Sequence, residues 1–95
     1  MAKSILQTEK ECFMCGSHRW LEEHHCFEGY GIRPKSEKYG LKVYLCHYCH
    51  NEPPNGVHHN KNNRQKLKQF AQKKAMEHYG WSIEQFREIF GKNYL

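Results

Sequence analysis

Cys46-His47-Tyr48-Cys49-His50-Asn51 is the stretch on which the reading of the chain turns, and Cys12-Phe13-Met14-Cys15 is its counterpart upstream. Each Cys-x-x-Cys pair can present two thiolates to one tetrahedral ion, as structural zinc sites require. A single pair would also suit a thioredoxin-type redox motif. A second pair in so short a chain, without a surrounding βαβ pattern, favours a four-cysteine zinc site. The segment between the pairs is longer than in a compact zinc ribbon, which implies an inserted functional stretch. Zinc-finger peptides bind their ion with roughly 10–16 kcal/mol of apparent free energy, against ~5 kcal/mol from a small core, so chelation is expected to unfold the domain.

Composition agrees with a metal staple. The chain has 95 residues, 38% of them hydrophobic, which makes one small domain with little core to spare. Its five cysteines are an odd number, against a closed disulfide framework. Met1-Ala2-Lys3-Ser4-Ile5-Leu6-Gln7 lacks the run of roughly 7–15 apolar residues of a secretory signal, so a reducing, cytoplasmic location is expected. With a formal charge of +5 and a mean hydropathy of −0.99, no stretch approaches the ~18 apolar residues of a membrane span, and no membrane partner is expected.

Outward from the cysteines the chain divides simply. Residues 1–10 read as a polar lead-in whose Ile5-Leu6 docks on the core, and residues 11–95 as one α+β domain. Within it, residues 11–60 hold all five cysteines and seven of the eight histidines, and residues 61–95 form a basic helix followed by a C-terminal helix. Arg19-Trp20-Leu21-Glu22-Glu23 and Leu41-Lys42-Val43-Tyr44-Leu45 read as short strands, the second by its alternation. The Gly- and charge-rich stretch 28–40 between them reads as a surface loop. Leu67, Phe70, Ala71 and Ala75 recur at helical spacing from about Asn62 to Tyr79, with Gly80 as C-terminal cap. Ser82 and Gln85 form a capping box, with Trp81 expected to close on Phe86 as a hydrophobic staple. The last helix should run from Ile83 to Phe90, turn Ile83, Phe86, Ile89 and Phe90 inward, and stop at Gly91.

The histidines cluster too. Glu22-Glu23-His24-His25 closes the first strand, His50 abuts the second cysteine pair, and Val57-His58-His59-Asn60 follows a few residues on. On a helical turn Cys49 and His50 are about 100° apart, so the thiolate can face zinc while the imidazole faces elsewhere. Two metal sites become possible, one closed and one open. Adjacent strand residues His24 and His25 point to opposite faces. Glu22 or Glu23 could orient an imidazole, though exposed strand-edge charge is the simpler reading. Cys26 reads as a buried reduced thiol.

Cys-x-x-Cys, a strand ending in His24-His25, and a second strand running into Leu45-Cys46-x-x-Cys49-His50-Asn51 resemble the zinc-containing branch of the HNH endonucleases, the ββα-metal nucleases. Ser36-Glu37-Lys38-Tyr39-Gly40-Leu41, Gly56-Val57-His58-His59 and the closing Phe90-Gly91-Lys92-Asn93-Tyr94-Leu95 are similar to small phage and prophage HNH proteins and to the nuclease domain of Ref-type recombination proteins. The resemblance covers roughly residues 12–60. It implies a ββα-metal core with treble-clef-like zinc knuckles at Cys12, Cys15, Cys46 and Cys49, followed by two helices. It further implies His24 and His50 as ligands of a catalytic divalent cation (Mg, Mn, Ni or Zn), and His25 as the general base that activates water. If phage-encoded, the chain would act in the host cytoplasm. The family's middle Asn would fall near Leu41, so its pinning function is missing or moved. The position one turn after His50, where relatives often carry a third histidine, is Pro54; the Pro53-Pro54-Asn55-Gly56 turn could return His59 or His58 to the metal, with His59 slightly favoured and His47 a further candidate.

From Pro53 to Met76 there is no acidic residue, while Lys61, Arg64, Lys66, Lys68, Lys73 and Lys74 are basic. Arg33, Lys35, Lys38 and Lys42 add a second basic stretch. DNA is the expected partner, with Arg33, Lys35, Lys61, Arg64 and Lys68 as candidate contacts to phosphate rather than bases. Tyr30 and Tyr39 could stack on bases or sugars, or pack within the loop. The expected function is a metal-dependent DNA endonuclease that nicks or cleaves with low sequence specificity. A non-catalytic zinc-dependent nucleic-acid-binding module and a zinc-held assembly protein are its rivals.

Overall fold

The alternation of Leu41, Val43 and Leu45 does produce a strand, shifted one residue along. In the computed structural model, which describes residues 3–95, β1 (Leu21–His25) pairs antiparallel with β2 (Lys42–Cys46). Register sets Leu21 opposite Cys46, His24 opposite Val43 and His25 opposite Lys42. Four helices complete the fold among the described residues: α1 (Arg33–Tyr39), α2 (His47–Asn51), α3 (Lys61–Tyr79) and α4 (Ile83–Phe90). The architecture is therefore mixed α+β with a two-stranded sheet.

Helix α1 corrects the expectation of a loop over residues 28–40. Pro34 sits in its first turn, where the missing N–H costs no hydrogen bond and the fixed φ favours helix. Gly40 ends it at φ 71°, its N–H capping Glu37 and Ser36 carbonyls. Ser36 ties the helix to the chain beyond β1, its hydroxyl donating to the Phe27 carbonyl at 2.7 Å and accepting the Phe27 N–H at 3.1 Å.

The lead-in docks along the free edge of β2. Ile5 N–H donates to Gly40 O at 3.0 Å, Ser4 Oγ donates to Lys42 O, and Tyr44 N–H donates to Gln7 Oε1 at 2.8 Å. A glutamine carbonyl here takes the place that a third strand's backbone would fill. Leu6 is buried with the core. The lead-in's first two residues lie outside the described residues.

The core gathers Leu41, Val43 and Leu45 of the β2 region, Phe27, Val57, one face of α3 through Leu67, Ala71 and Ala75, and Phe86 and Phe90 of α4. Phe27 is its centre, with Phe86, Phe90 and Tyr94 rings at 5.3, 4.9 and 5.1 Å. Helix α3 ends at Gly80 in the left-handed conformation, and α4 opens with the full Ser82–Gln85 capping box. Trp81 does not follow expectation. It stacks on Tyr79 at 4.6 Å and meets Tyr39 edge-on at 4.9 Å, while Phe86 turns to Phe27 and Phe90. Ile83, expected inside, is exposed. Gln72, fully buried on α3, holds the tail by donating to Asn93 Oδ1 and accepting the Tyr94 N–H.

Candidate functional site

The fold brings the two cysteine pairs together at the end of β2. Cys12, Cys15, Cys46 and Cys49 place their sulfurs within 4.8 Å of one another. Each pair forms the same tight turn: Cys12 Sγ accepts the Cys15 N–H at 3.4 Å, and Cys46 Sγ accepts the Cys49 N–H at 3.5 Å. The Cys15 and Cys46 sulfurs lie 3.7 Å apart, far beyond a disulfide bond. Tetrahedral zinc with Zn–S bonds near 2.3 Å requires S···S separations of about 3.8 Å. The four thiols thus fit a structural zinc ion. Burial opposes ionisation of Cys12, but N–H donors from Cys46, Cys15 and Met14 outweigh it and bring the thiol down to about 7. Burial, followed by the neighbouring thiols, pushes Cys49 up. A second negative sulfur is therefore unfavourable until a cation arrives.

A second cluster begins at the residue of α2 that follows Cys49. His24 from β1, His50 from α2 and His58 from the following turn bring ring nitrogens within 4.8 Å of one another. His24 Nδ1 is 3.2 Å and His58 Nε2 2.9 Å from His50 Nε2. Three nitrogens about a tetrahedral ion with bonds near 2.0–2.1 Å would stand about 3.3–3.4 Å apart, so a modest spreading admits a divalent metal. Burial first, then the charges of His50 and His58, depress His24 to about 3, and burial leads the lowering at His58. Both rings are thus neutral at neutral pH, the form in which an imidazole can donate to a metal.

Glu22 orients this cluster. Its Oε1 accepts the His50 Nδ1–H at 2.7 Å, which leaves the His50 Nε2 lone pair facing the other two rings. The same carboxylate takes His47 Nδ1–H at 3.0 Å and Asn51 Nδ2 at 2.7 Å. Hydrogen bonding to His50, then to His47, lowers its carboxyl despite partial burial. The exposed-edge reading of Glu22 is thereby corrected. Strand alternation puts residues 22 and 24 on one face, and that period was the available signal. His47 is not in the cluster; it is an exposed ring held between Glu22 and Glu52.

His58, and not His59, joins His24 and His50. The backbone after α2 folds straight back, with Val57 N–H on Cys49 O at 2.9 Å and His58 N–H on His50 O at 3.2 Å. Gly56 permits the reversal, because a Cβ there would lie 2.6 Å from Glu52 O and 2.7 Å from Glu52 N. His59 is exposed and starts the approach to α3.

His25 has separate surroundings. Its ring is buried, with Nδ1 accepting from Arg33 Nε at 3.3 Å and Nε2 3.2 Å from Glu37 Oε1. Leu41, near the place of the expected Asn, is fully buried and apolar and offers no side-chain pin.

The basic residues sort into three kinds. Arg64 Nη1 caps the Val57 carbonyl at 3.1 Å, next to His58, and Lys68 one turn on lies over the Tyr94 ring at 5.1 Å. Lys61 is exposed at the start of α3. Lys35 is instead spent on structure, its ammonium donating to Ile89 O at 2.6 Å. Lys42 points inward to Glu37 and Glu23 and adds nothing to a basic surface. Tyr30 is fully exposed, whereas Tyr39 belongs to the Tyr79–Trp81 cluster. Cys26 is fully buried, and burial pushes its thiol well up. No helix is long and apolar enough to cross a membrane among the described residues. Compared with known protein families, curated proteins and solved structures, the chain finds no match.

Proposed function

We propose that this chain is a metal-dependent endonuclease of the HNH, ββα-metal type that hydrolyses DNA phosphodiester bonds with low sequence specificity. The observation that carries the reading is the three-imidazole cluster of His24, His50 and His58, beside Arg64 and next in sequence to the buried His25. An antiparallel strand pair followed by a helix, with α1 inserted between the strands and candidate ligands on β1 and α2, supports the ββα-metal assignment. Three protein ligands leave a coordination position for water or substrate, the pattern of catalytic rather than structural metal sites. The sulfur cluster serves as the structural zinc site.

When bound, a divalent ion at the three histidines would polarise the scissile phosphate and neutralise charge on its oxygens. Imidazole donors suit zinc or nickel better than magnesium. His25 Nδ1 takes a proton from water as the water oxygen bonds to phosphorus; the P–O bond to the leaving oxygen breaks, and that oxygen collects a proton from solvent. Arg64 and Lys68 supply positive charge for the phosphate, and Lys61 extends that charge along the strand. Contacts of this kind grip the backbone and read no bases.

Supercoiled plasmid at low salt, supplied in turn with magnesium, manganese, nickel or zinc, tests the proposal. Open-circle and linear products are expected from the wild type and not from His25→Ala at equal zinc content and equal helicity. Binding by both proteins without any cutting would overturn the catalytic reading and leave a zinc-dependent nucleic-acid-binding module, which the acid-free stretch from Pro53 to Met76 also favours.

A further inference from the structure

Glu23, His25 and Glu37 form a third group of side chains close enough to hold a cation. It already holds one. Lys42 Nζ, on a side chain only 7% exposed, is 2.6 Å from Glu37 Oε2 and 3.5 Å from Glu23 Oε2. An ammonium in that position excludes a divalent ion by charge and by volume. Burying a lysine between two carboxylates is costly in desolvation and yields little net stability, so the arrangement calls for another reason. His25 provides it.

The ring's protonation state follows from its two partners. A guanidinium has donors only, so the nitrogen that Arg33 Nε contacts at 3.3 Å must carry the lone pair. That nitrogen is Nδ1. The ring proton is then on Nε2, 3.2 Å from Glu37 Oε1, where a carboxylate accepts it. The hydrogen bond from Lys42, and next that from His25, hold the Glu37 carboxyl below the usual range, so it remains an acceptor at neutral pH. Pro34 and the Gly40 cap fix α1, and Ser36 binds α1 to Phe27, two residues past His25. Glu37 therefore projects from a rigid element, not from a loose loop.

Building on the nuclease reading, we propose that Glu37 is the positioning residue for His25. It takes the Nε2 proton, locks the tautomer and the ring angle, and leaves Nδ1 as the basic nitrogen; Lys42 holds Glu37 in that pose. Arg33 covers Nδ1 in the free protein and must move from it for water to approach. Because a guanidinium binds phosphate well, the incoming DNA backbone is the group that can draw it away.

Side-chain ¹⁵N–¹H correlation of the histidines, recorded on the zinc-loaded protein near neutral pH, tests this without recourse to activity. The wild type should show His25 with a lone-pair Nδ1 and a protonated Nε2. Glu37→Ala should mix the tautomers, and Glu37→Gln, whose carbonyl can still accept, should restore the wild-type pattern. In plasmid nicking, Glu37→Ala should lose roughly 10–100-fold in kcat with little change in KM, and Glu37→Gln should recover most of the loss. An unchanged tautomer in Glu37→Ala would overturn the proposal, as would a wild-type ring protonated on Nδ1, a measurement that stands even if the alanine variant does not fold. A wild type that cuts no DNA but loses its tautomer in Glu37→Ala would overturn the nuclease reading and uphold the role of Glu37 on the ring.

Discussion

Around the sulfurs of Cys12, Cys15, Cys46 and Cys49 the polar neighbours are backbone N–H groups, whereas around His24, His50 and His58 they are charged side chains. Backbone donors are fixed by the turn that supplies them, so the sulfur cluster is as rigid as the fold itself. Side-chain partners such as Glu22 orient a ring without closing the site, and His58 leaves the histidine cluster accessible on one side. One set of ligands is arranged to hold an ion and nothing else. The other would hold an ion and still leave one side open.

That contrast can be broken most forcefully by taking the structural metal away. Stripping zinc with a strong chelator, or replacing Cys49 with Ser, should abolish the cooperative thermal transition and most of the helical circular dichroism. The lost binding free energy, roughly 10–16 kcal/mol in zinc-finger peptides, exceeds what so small a core provides. His50→Ala should leave the thermal transition in place. Equal collapse of the two variants would mean that both clusters are architectural.

Next in size is the choice between neighbouring histidines. Metal titration should find two equivalents per chain in the wild type and in His59→Ala. His58→Ala should weaken the second equivalent by more than the roughly 10–100-fold that outer partners contribute, since it removes a direct ligand. A smaller change is expected from Glu22→Gln, which keeps the shape but not the charge behind His50. Its second-site affinity should fall within that roughly 10–100-fold range while the cysteine site is untouched. The smallest effect belongs to the surface. Lys61→Ala should reduce the slope of log affinity for DNA against log salt by about 1, with neither metal site altered, if it neutralises one phosphate.

What could be read from the sequence was local. Cysteine spacing announced the sulfur cluster, and Gly80, Ser82, Gln85 and Gly91 marked the ends of α3 and α4 because caps are chemistry between near neighbours. Helix α1 was missed because Pro34 reads as a breaker unless the first turn begins just before it. The preference for His59 failed for a reason no spacing rule contains: the turn after α2 reverses through a contact between Gly56 and the Glu52 backbone, and that contact decides which histidine returns. Lys35 and Lys42 looked like surface charge, since a lysine's destination depends on carbonyls and carboxylates far along the chain. Glu37 carried no signal of its own. Its role comes from α1 and β2 meeting around His25.

The sulfur ligands Cys15 and Cys46 are 31 positions apart, and β1, α1 and most of β2 lie between them. An ion held by the four sulfurs would therefore close the loop that carries His24, His25 and Glu37 without touching any of them. In a living cell such an ion would make the supply of zinc a control on dosage, because chains that cannot close the loop stay open to proteases. Abundance of the folded form should then follow the zinc status of the cell more closely than the rate of synthesis.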